Sequence, residues 1–427
     1  MRSRTAIAAV AALTLALAAG CSGSDGTSSS NDTATGDGKS FEFWSFTGIN
    51  QKASVDDYKK THADVDIKLT EVGTSVETAQ ALTTALAGGK VPDLVLIQGD
   101  DLPKFVQQSQ NFYDLTKLGA DQIKGNYLDW VIAQSTARNG SIVGIPTDVG
   151  GMAVAYRTDL FKAAGLPTDR AEAAKLWPTW DAFISTGKQY TAKTGKPFVD
   201  NAATSVFYQA VNQGPQKYYD NDGNPVYATS AQVKSAFDYA IQAAQAGITA
   251  KQSSFSNGWS AAMADGGFAT IAAPSWMLNT IRSNAPKTEG KWDLATIPGN
   301  SGNWGGSYLA IPKGAKNAKA AWDYITATQS PAGQLDHFVS SGALPTTPGV
   351  YTDAKLTGLK DSFFSGAPTG EIYTKSVQGL QPFVIGPQSS EIGQEFQNAI
   401  TNVEQGKGQA DQAWDAALKN IKTAIGK

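Results

Sequence analysis

FEFWSFTGINQKASVDDYKKTHADVDIKLTEV, residues Phe41–Val72, decides the fold class. Its first six residues form a short aromatic run suited to a strand, and Val65–Val72 alternates apolar and polar residues as a half-buried strand does. Between them Ile49–Thr61 suits a helix. Continuing outward, Ser75–Ala87 reads as a second helix stopped by Gly88-Gly89. Pro92-Asp93 introduces a third strand, Leu94–Ile97, followed at its carboxyl end by Gly99-Asp100-Asp101. Strand, helix, strand, helix, strand implies a parallel sheet with helices packed on it, an α/β architecture.

Further along, Ile142–Ile145 and Ala153–Tyr156 read as strands on either side of Pro146 and Gly150-Gly151. Helices are expected at Thr158–Ala164, Thr179–Thr191, Ser230–Ala246, Ser275–Ala285 and Asn317–Thr326. Strands are expected at Phe268–Ala273, Trp292–Ile297 and Tyr308–Ile311. Ile392, Phe396, Ile400 and Val403 share one helical face, as do Trp414, Leu418, Ile421 and Ile425. No fixed period repeats, which disfavours a solenoid or propeller.

At the amino terminus Arg2 and Arg4 precede an uncharged, mostly apolar stretch from Ala6 to Ala19, and small residues lead to Cys21, the sole cysteine. A basic start, a short apolar run and small residues describe a secretory signal, residues 1–20, too short to span a membrane. The segment resembles a bacterial lipobox, which implies lipidation at Cys21. It departs from that pattern at Ala18, where leucine is usual and Leu17 stands one place earlier. The alternative is a plain signal peptide with an incidental cysteine. One cysteine permits no internal disulfide. Ser22–Lys39 has Ala34 as its single apolar side chain, so it is expected to be a flexible tether reaching roughly 20–25 Å. Basic residues number 35 and acidic ones 38, and no basic stripe is present, which argues against nucleic acid as a partner.

Four stretches carry a family resemblance: PDLVLIQGDDLPKFVQQSQNFYDLT (Pro92–Thr116), GIPTDVGGMAVAYRTDLFKAAGLP (Gly144–Pro167), WPTWDAF (Trp177–Phe183) and GGSYLAIPKGAKNAKAAWDYI (Gly305–Ile325). In this order and spacing the chain resembles the family 1 extracellular solute-binding proteins of bacterial ABC sugar importers, relatives of maltose-binding protein. The resemblance implies a type II, two-lobed periplasmic-binding-protein-like fold, with hinge strands between discontinuous lobes. Crossings are expected near 147–151, 302–306 and 366–382. The first lobe would then be 41–147 plus 307–366, and the second 150–305 plus 367–427. It further implies a monomer at the extracytoplasmic face of the membrane, held by its lipid. Its partners would be a carbohydrate, expected to be an oligosaccharide, and the transmembrane permease subunits, with no cofactor and no metal.

A sugar presents hydroxyls and C–H faces, so its site needs carboxylates or amides together with exposed aromatic rings. The resemblance places a stacking tryptophan just after a strand, where Trp276 stands in FATIAAPSWMLNTI; the alternative is a core tryptophan under its own helix. Trp44 sits near a strand's cleft end, where core packing competes. Asp100 and Asp101 follow the third strand and could accept from hydroxyls or cap the next helix. Asp148 lies at the first expected crossing, with a turn role as the alternative. Trp304 lies in a polar, glycine-rich stretch with Gly305 and Gly306, suited to close backbone approach at a hinge or to an ordinary loop. Phe207, Tyr208 and Trp259 complete the candidates, with packing as the alternative for each. Trp130, Trp180, Trp292, Trp322 and Trp414 read as structural, and Trp177 stays undecided. Around Gly393 the residues are small or polar where maltose-binding relatives can place aromatics, so maltose itself is disfavoured.

Little in the chain suggests chemistry. His62 and His337 are the only histidines, expected to be solvated or capping, and no HExxH, P-loop or GxGxxG occurs. Asp220–Asn224 resembles a calcium loop at its start but continues into Pro225, which favours a turn. The rival readings are a secreted glycoside hydrolase, needing two opposed carboxylates, and a sugar-sensing surface receptor of the same fold.

Overall fold

In the computed structural model, residues 34–426 are described; the signal segment and Cys21 lie outside them. Strand β1 is Ser40–Ser45, with Phe41, Phe43 and Ser45 turned inward. Helix α1 (Gln51–Lys59) leads to β2 (Asp66–Glu71), and helix α2 (Ser75–Gly88) to β3 (Leu94–Gln98). Thr74 caps α2 reciprocally with Glu77, and Gly89 ends it at φ 69°, a left-handed geometry that glycine adopts without cost. Short helix α3 (Leu102–Val106) follows β3. β1 pairs in parallel with β2 and β3, as the strand–helix–strand order implies.

Strand β4 (Gly144–Pro146) closes this first sheet, and the chain then passes over 147–151 into β5 (Met152–Arg157) of a second. β6 (Thr270–Pro274) and β7 (Trp292–Thr296) flank β5, antiparallel on both sides. The chain returns over 297–306 to β8 (Ser307–Ala310), which lies antiparallel between β3 and β4. The sheet orders are therefore β2-β1-β3-β8-β4 and β6-β5-β7, one at the centre of each lobe. Every residue of β5 is buried, because both its faces are covered. Met152, Val154 and Tyr156 pack with helices that include Trp180–Thr194, Ala231–Gln245 and Ser389–Glu404, whereas Ala153 and Ala155 face Trp259, Met263 and Ile281.

Two expectations are corrected, and one helix is added. The free tether does not extend to Lys39: Thr35 donates from Oγ1 to the Ala315 carbonyl at 3.0 Å and accepts from the Lys319 N–H, and Ala34 packs on the first lobe's core. Ahead of the crossing expected at 366–382, a helix touches both lobes: its His337 reaches Ser54 of α1. Leu335 and Phe338, on the unanticipated helix Pro331–Ser341, already sit in the core with Phe268, Trp292 and Tyr373. His337 is neither solvated nor capping. It lies between Ser54 and Ser341 at 3.0 and 3.1 Å, and burial lowers its pKa to about 4.

The two interlobe passages lie side by side. Gly150 N–H donates to the Asn303 side chain at 2.8 Å and its carbonyl accepts from Trp304 N–H at 2.9 Å. A Cβ on Gly150 would run into the Trp304 carbonyl. Gly150→Ala should therefore lower unfolding stability by about 1–3 kcal/mol, the usual cost of overpacking, in a urea titration. An unchanged midpoint would show that the crossing has slack.

Candidate functional site

A cleft opens between the lobes at these passages. Its first wall is made by chain following β1 (Thr47–Ile49), by the start of α2 (Thr74–Val76), by Gln98 at the end of β3, and by Asp100 and Asp101 just beyond it. Strand ends of an open sheet meet a crevice there. Two communicating cavities of about 700 and 1260 Å³ share Ser75, Gln98, Phe255 and Trp304.

The smaller cavity is aromatic. Trp276 follows β6 and Trp304 sits on the second passage; their rings lie edge to face at 5.4 Å. The Trp276 indole N–H donates to the Trp304 carbonyl at 2.9 Å, which fixes the ring's orientation. Phe46, Ile49 and Phe255 complete the apolar lining, with Asp148, Gly305 and Gly306 at the base. The two glycines have φ of 87° and 98°, and a Cβ on Gly306 would come within 2.8 Å of the Asp148 carbonyl. Only glycine lets the passages approach this closely.

The larger cavity is polar. Asn201, Thr204, Ser253 and Ser254 line it together with one face of the helix Ser389–Glu404, which presents Gly393, Gln394, Gln397, Asn398 and Thr401. Asp100 projects across it from the first lobe. Its carboxylate accepts from the Tyr208 hydroxyl at 2.6 Å and the Lys217 ammonium at 3.0 Å, both from the second lobe. Burial opposes the Asp100 charge, but Lys217 and the hydroxyl outweigh it and hold the carboxyl below its usual range. Lys217 is itself buried, its ammonium about 5 Å from the ring centres of Tyr208 and Tyr218. Tyr208 ends a π-helical stretch, Ala203–Tyr208, a local geometry often found at functional sites.

Asp101 and Asp148 have no such partner. Burial raises Asp101 to about 7, against a Ser390 hydrogen bond and with help from the neighbouring Asp100 charge. Burial also raises Asp148 to about 6, although Thr147 donates to it at 2.7 Å. Asp101 stands at the N-cap position of α3 but makes no capping hydrogen bond.

Of the residues singled out from the sequence, Asp100, Asp101, Asp148, Tyr208, Trp276, Trp304, Gly305 and Gly306 border these cavities. Three do not. Trp44 turns away from the cleft, packs with Ala79 and Leu82, and donates to Glu42 at 3.3 Å. Phe207 is fully buried between Phe237 and Phe396. Trp259 is fully buried and donates to Asp200 at 2.8 Å. Lys217 and Phe255 were missed: a lone lysine and a lone loop phenylalanine carry no periodic signal. Asp220 accepts from the N–H groups of Asp222 and Asn224 and so forms a turn; among the described residues no acidic or histidine cluster suits a metal.

The family model for the bacterial extracellular solute-binding proteins matches residues 53–361. The chain belongs to that family. This solute-binding protein is 28% identical to the lactose-binding protein of Rhizobium radiobacter over 58% of its own chain and 57% of that relative, just over half its length. It is 26% identical to the arabinooligosaccharide-binding protein of Bacillus subtilis, over 73% and 72% of the two chains. Among solved structures, an extracellular solute-binding protein of family 1 superposes with a TM-score of 0.78 at 32% identity, over 90% of this chain and 99% of that one. An ABC transporter associated binding protein from B. animalis subsp. lactis in complex with β-1,6-galactobiose gives 0.77 at 22% identity, over 91% and 98%, and shares the fold. No helix among the described residues of the solute-binding protein is long and apolar enough to cross a membrane.

The raised carboxyl of Asp101 has a consequence for stability. Its folded pKa exceeds the unfolded value of about 3.9, so its favourable linkage is complete below pH 4 and is lost as pH rises through about 7. Asp101→Asn should therefore be more stable than the parent at pH 8 and show a shallower loss of stability between pH 5 and pH 8, measured by urea denaturation. Parallel curves would mean that Asp101 stays charged in the folded protein.

Proposed function

We propose that the protein captures an uncharged oligosaccharide in the interlobe cleft and delivers it, unaltered, to the permease of an ABC importer at the outer face of the membrane. The observation that carries this reading is the meeting of two indoles and a carboxylate from opposite walls around one cleft. Indole faces suit sugar C–H surfaces, and carboxylates and side-chain amides suit hydroxyls. The length of the polar gallery along Ser389–Glu404 favours more than one sugar ring. The relatives named for lactose and arabinooligosaccharides support a carbohydrate as the class. A lipid on Cys21 would keep the protein near its permease.

Charge selects within that class. Lys217 is the one cation among the residues lining the two cavities, and Asp100 engages it. Asp101, Asp148 and Glu404 all have raised carboxyl pKa values because burial offers them too little positive charge. A uronate or sugar phosphate would enter a site with acidic groups and no uncommitted cation.

In a thermal-shift screen, neutral hexo- and pentooligosaccharides should raise the melting temperature while galacturonate oligomers of equal length should not. Sugars recovered after incubation should be intact; new reducing ends would replace capture by hydrolysis. Trp276→Ala should weaken binding of the best neutral ligand at least about tenfold, or ~1.4 kcal/mol, by calorimetry. The melting temperature of the empty protein should stay close to the parent's. Unchanged affinity with a collapsed melting temperature would make Trp276 a packing residue.

A further inference from the structure

Phe255 stands apart from the other aromatics. Its side chain is large and apolar yet 52% exposed, and its backbone sits at φ 66°, a left-handed conformation unfavourable for a residue of this size. Lys251, in the same loop, is also left-handed at φ 56°. Non-glycine residues held this way are strained, and such strain clusters at ligand clamps. Packed against Trp259 and Trp276, the ring stands over the mouth of the aromatic cavity, parallel to Trp276 within 23° at a centroid separation of 6.3 Å. Across the mouth is Gly48 of the first lobe, where a Cβ would sit 3.9 Å from the Phe255 ring. Gly48 has φ 95°, so its place in this contact suits a residue without a side chain.

We propose that Phe255 is a gate on the aromatic cavity, closing over a sugar ring that lies on the Trp276 face. Filling the space between two parallel rings with a third takes about 7–8 Å, twice the optimal carbon contact of ~3.5–4.0 Å. The observed separation is smaller, so the gate is shut in this conformation. A sugar enters by displacing Phe255 and is then covered by it. The ring therefore contributes to residence time and limits the substituents that the enclosed sugar can carry. Phe255 also lines the polar cavity, so a longer chain passes beneath it from one cavity into the other. The gate rests on the sugar-binding reading above, and its role is separable from that of Trp276 because its backbone strain gives it an opposite effect on folding.

The test is ligand release by stopped-flow tryptophan fluorescence, using whichever neutral oligosaccharide of the thermal-shift panel the parent binds. Phe255→Gly removes the ring and relieves the left-handed strain. The empty variant should melt at or above the parent's temperature, yet release sugar at least tenfold faster. Phe255→Asn, a residue at home in the same backbone region, should behave alike, and Phe255→Tyr should restore slow release. Release within twofold of the parent in both ring-less variants would overturn the gate while leaving sugar capture standing. A parent that binds no saccharide in the panel would overturn both. Slow release lost in Phe255→Tyr as well would show that the loop's conformation, rather than the ring, governs exit.

Discussion

Two stretches of chain pass side by side between the sheets, and their close approach makes the rest of the molecule possible. Gly150 lies against the Trp304 backbone, and Gly306 against the Asp148 carbonyl. Side chains at either glycine would force the passages apart. Because the passages are so near each other, Asp148, Trp304, Gly305 and Gly306 gather at the base of one cleft. The sheets on either side then supply the walls: strand ends from one lobe, and a strand-to-helix turn and a polar helix face from the other. Two-lobed proteins joined this way are suited to hinge bending, since few dihedrals must change for the walls to separate.

Charge in the cleft follows from burial. A desolvated carboxylate stays ionised only where a partner compensates for the lost water, and Lys217 does this for Asp100. The pair joins the lobes, yet buried pairs of this kind are poor sources of net stability; removing one partner typically costs about 3–5 kcal/mol because the other is left exposed to a low dielectric. Its role is better understood as positioning. Tyr208 and Lys217 hold one carboxylate in a fixed direction within a cleft whose other acids, lacking such partners, hold their protons to higher pH than an exposed carboxyl does. A ligand that offers hydroxyls meets both kinds of acid on favourable terms.

Much of the fold was legible because its elements have strong local signals. The aromatic run of β1, the glycine-terminated α2, and the apolar run of β3 all lie within a residue or two of their expected places. β5 was placed as a short apolar run just after Gly150-Gly151, and its two faces separate cleanly into two cores. The helix Pro331–Ser341, which touches both lobes, went unnoticed. The site was legible only in part. Trp276 and Trp259 both stand near the start of a helix, and nothing local distinguishes them; the difference is Asp200, a buried acceptor 59 residues away that satisfies the Trp259 indole inside the core. Trp44 occupies the right strand, but side-chain alternation turns it from the crevice, which the chain reaches only at Phe46–Ile49. Lys217 was invisible because a single lysine ordinarily belongs to the surface, and its burial depends on an aspartate from the other lobe.

The account stands on sugar bridging the two walls. The most direct measurement is a crystal structure of the protein with a neutral oligosaccharide that raises its melting temperature. The account predicts a sugar ring against the Trp276 face and a hydroxyl donating to Asp100, with the remaining rings along Gln394, Gln397 and Asn398. A saccharide seated elsewhere, such as the groove between Trp130 and Phe383, with the interlobe cleft left to solvent, would contradict it.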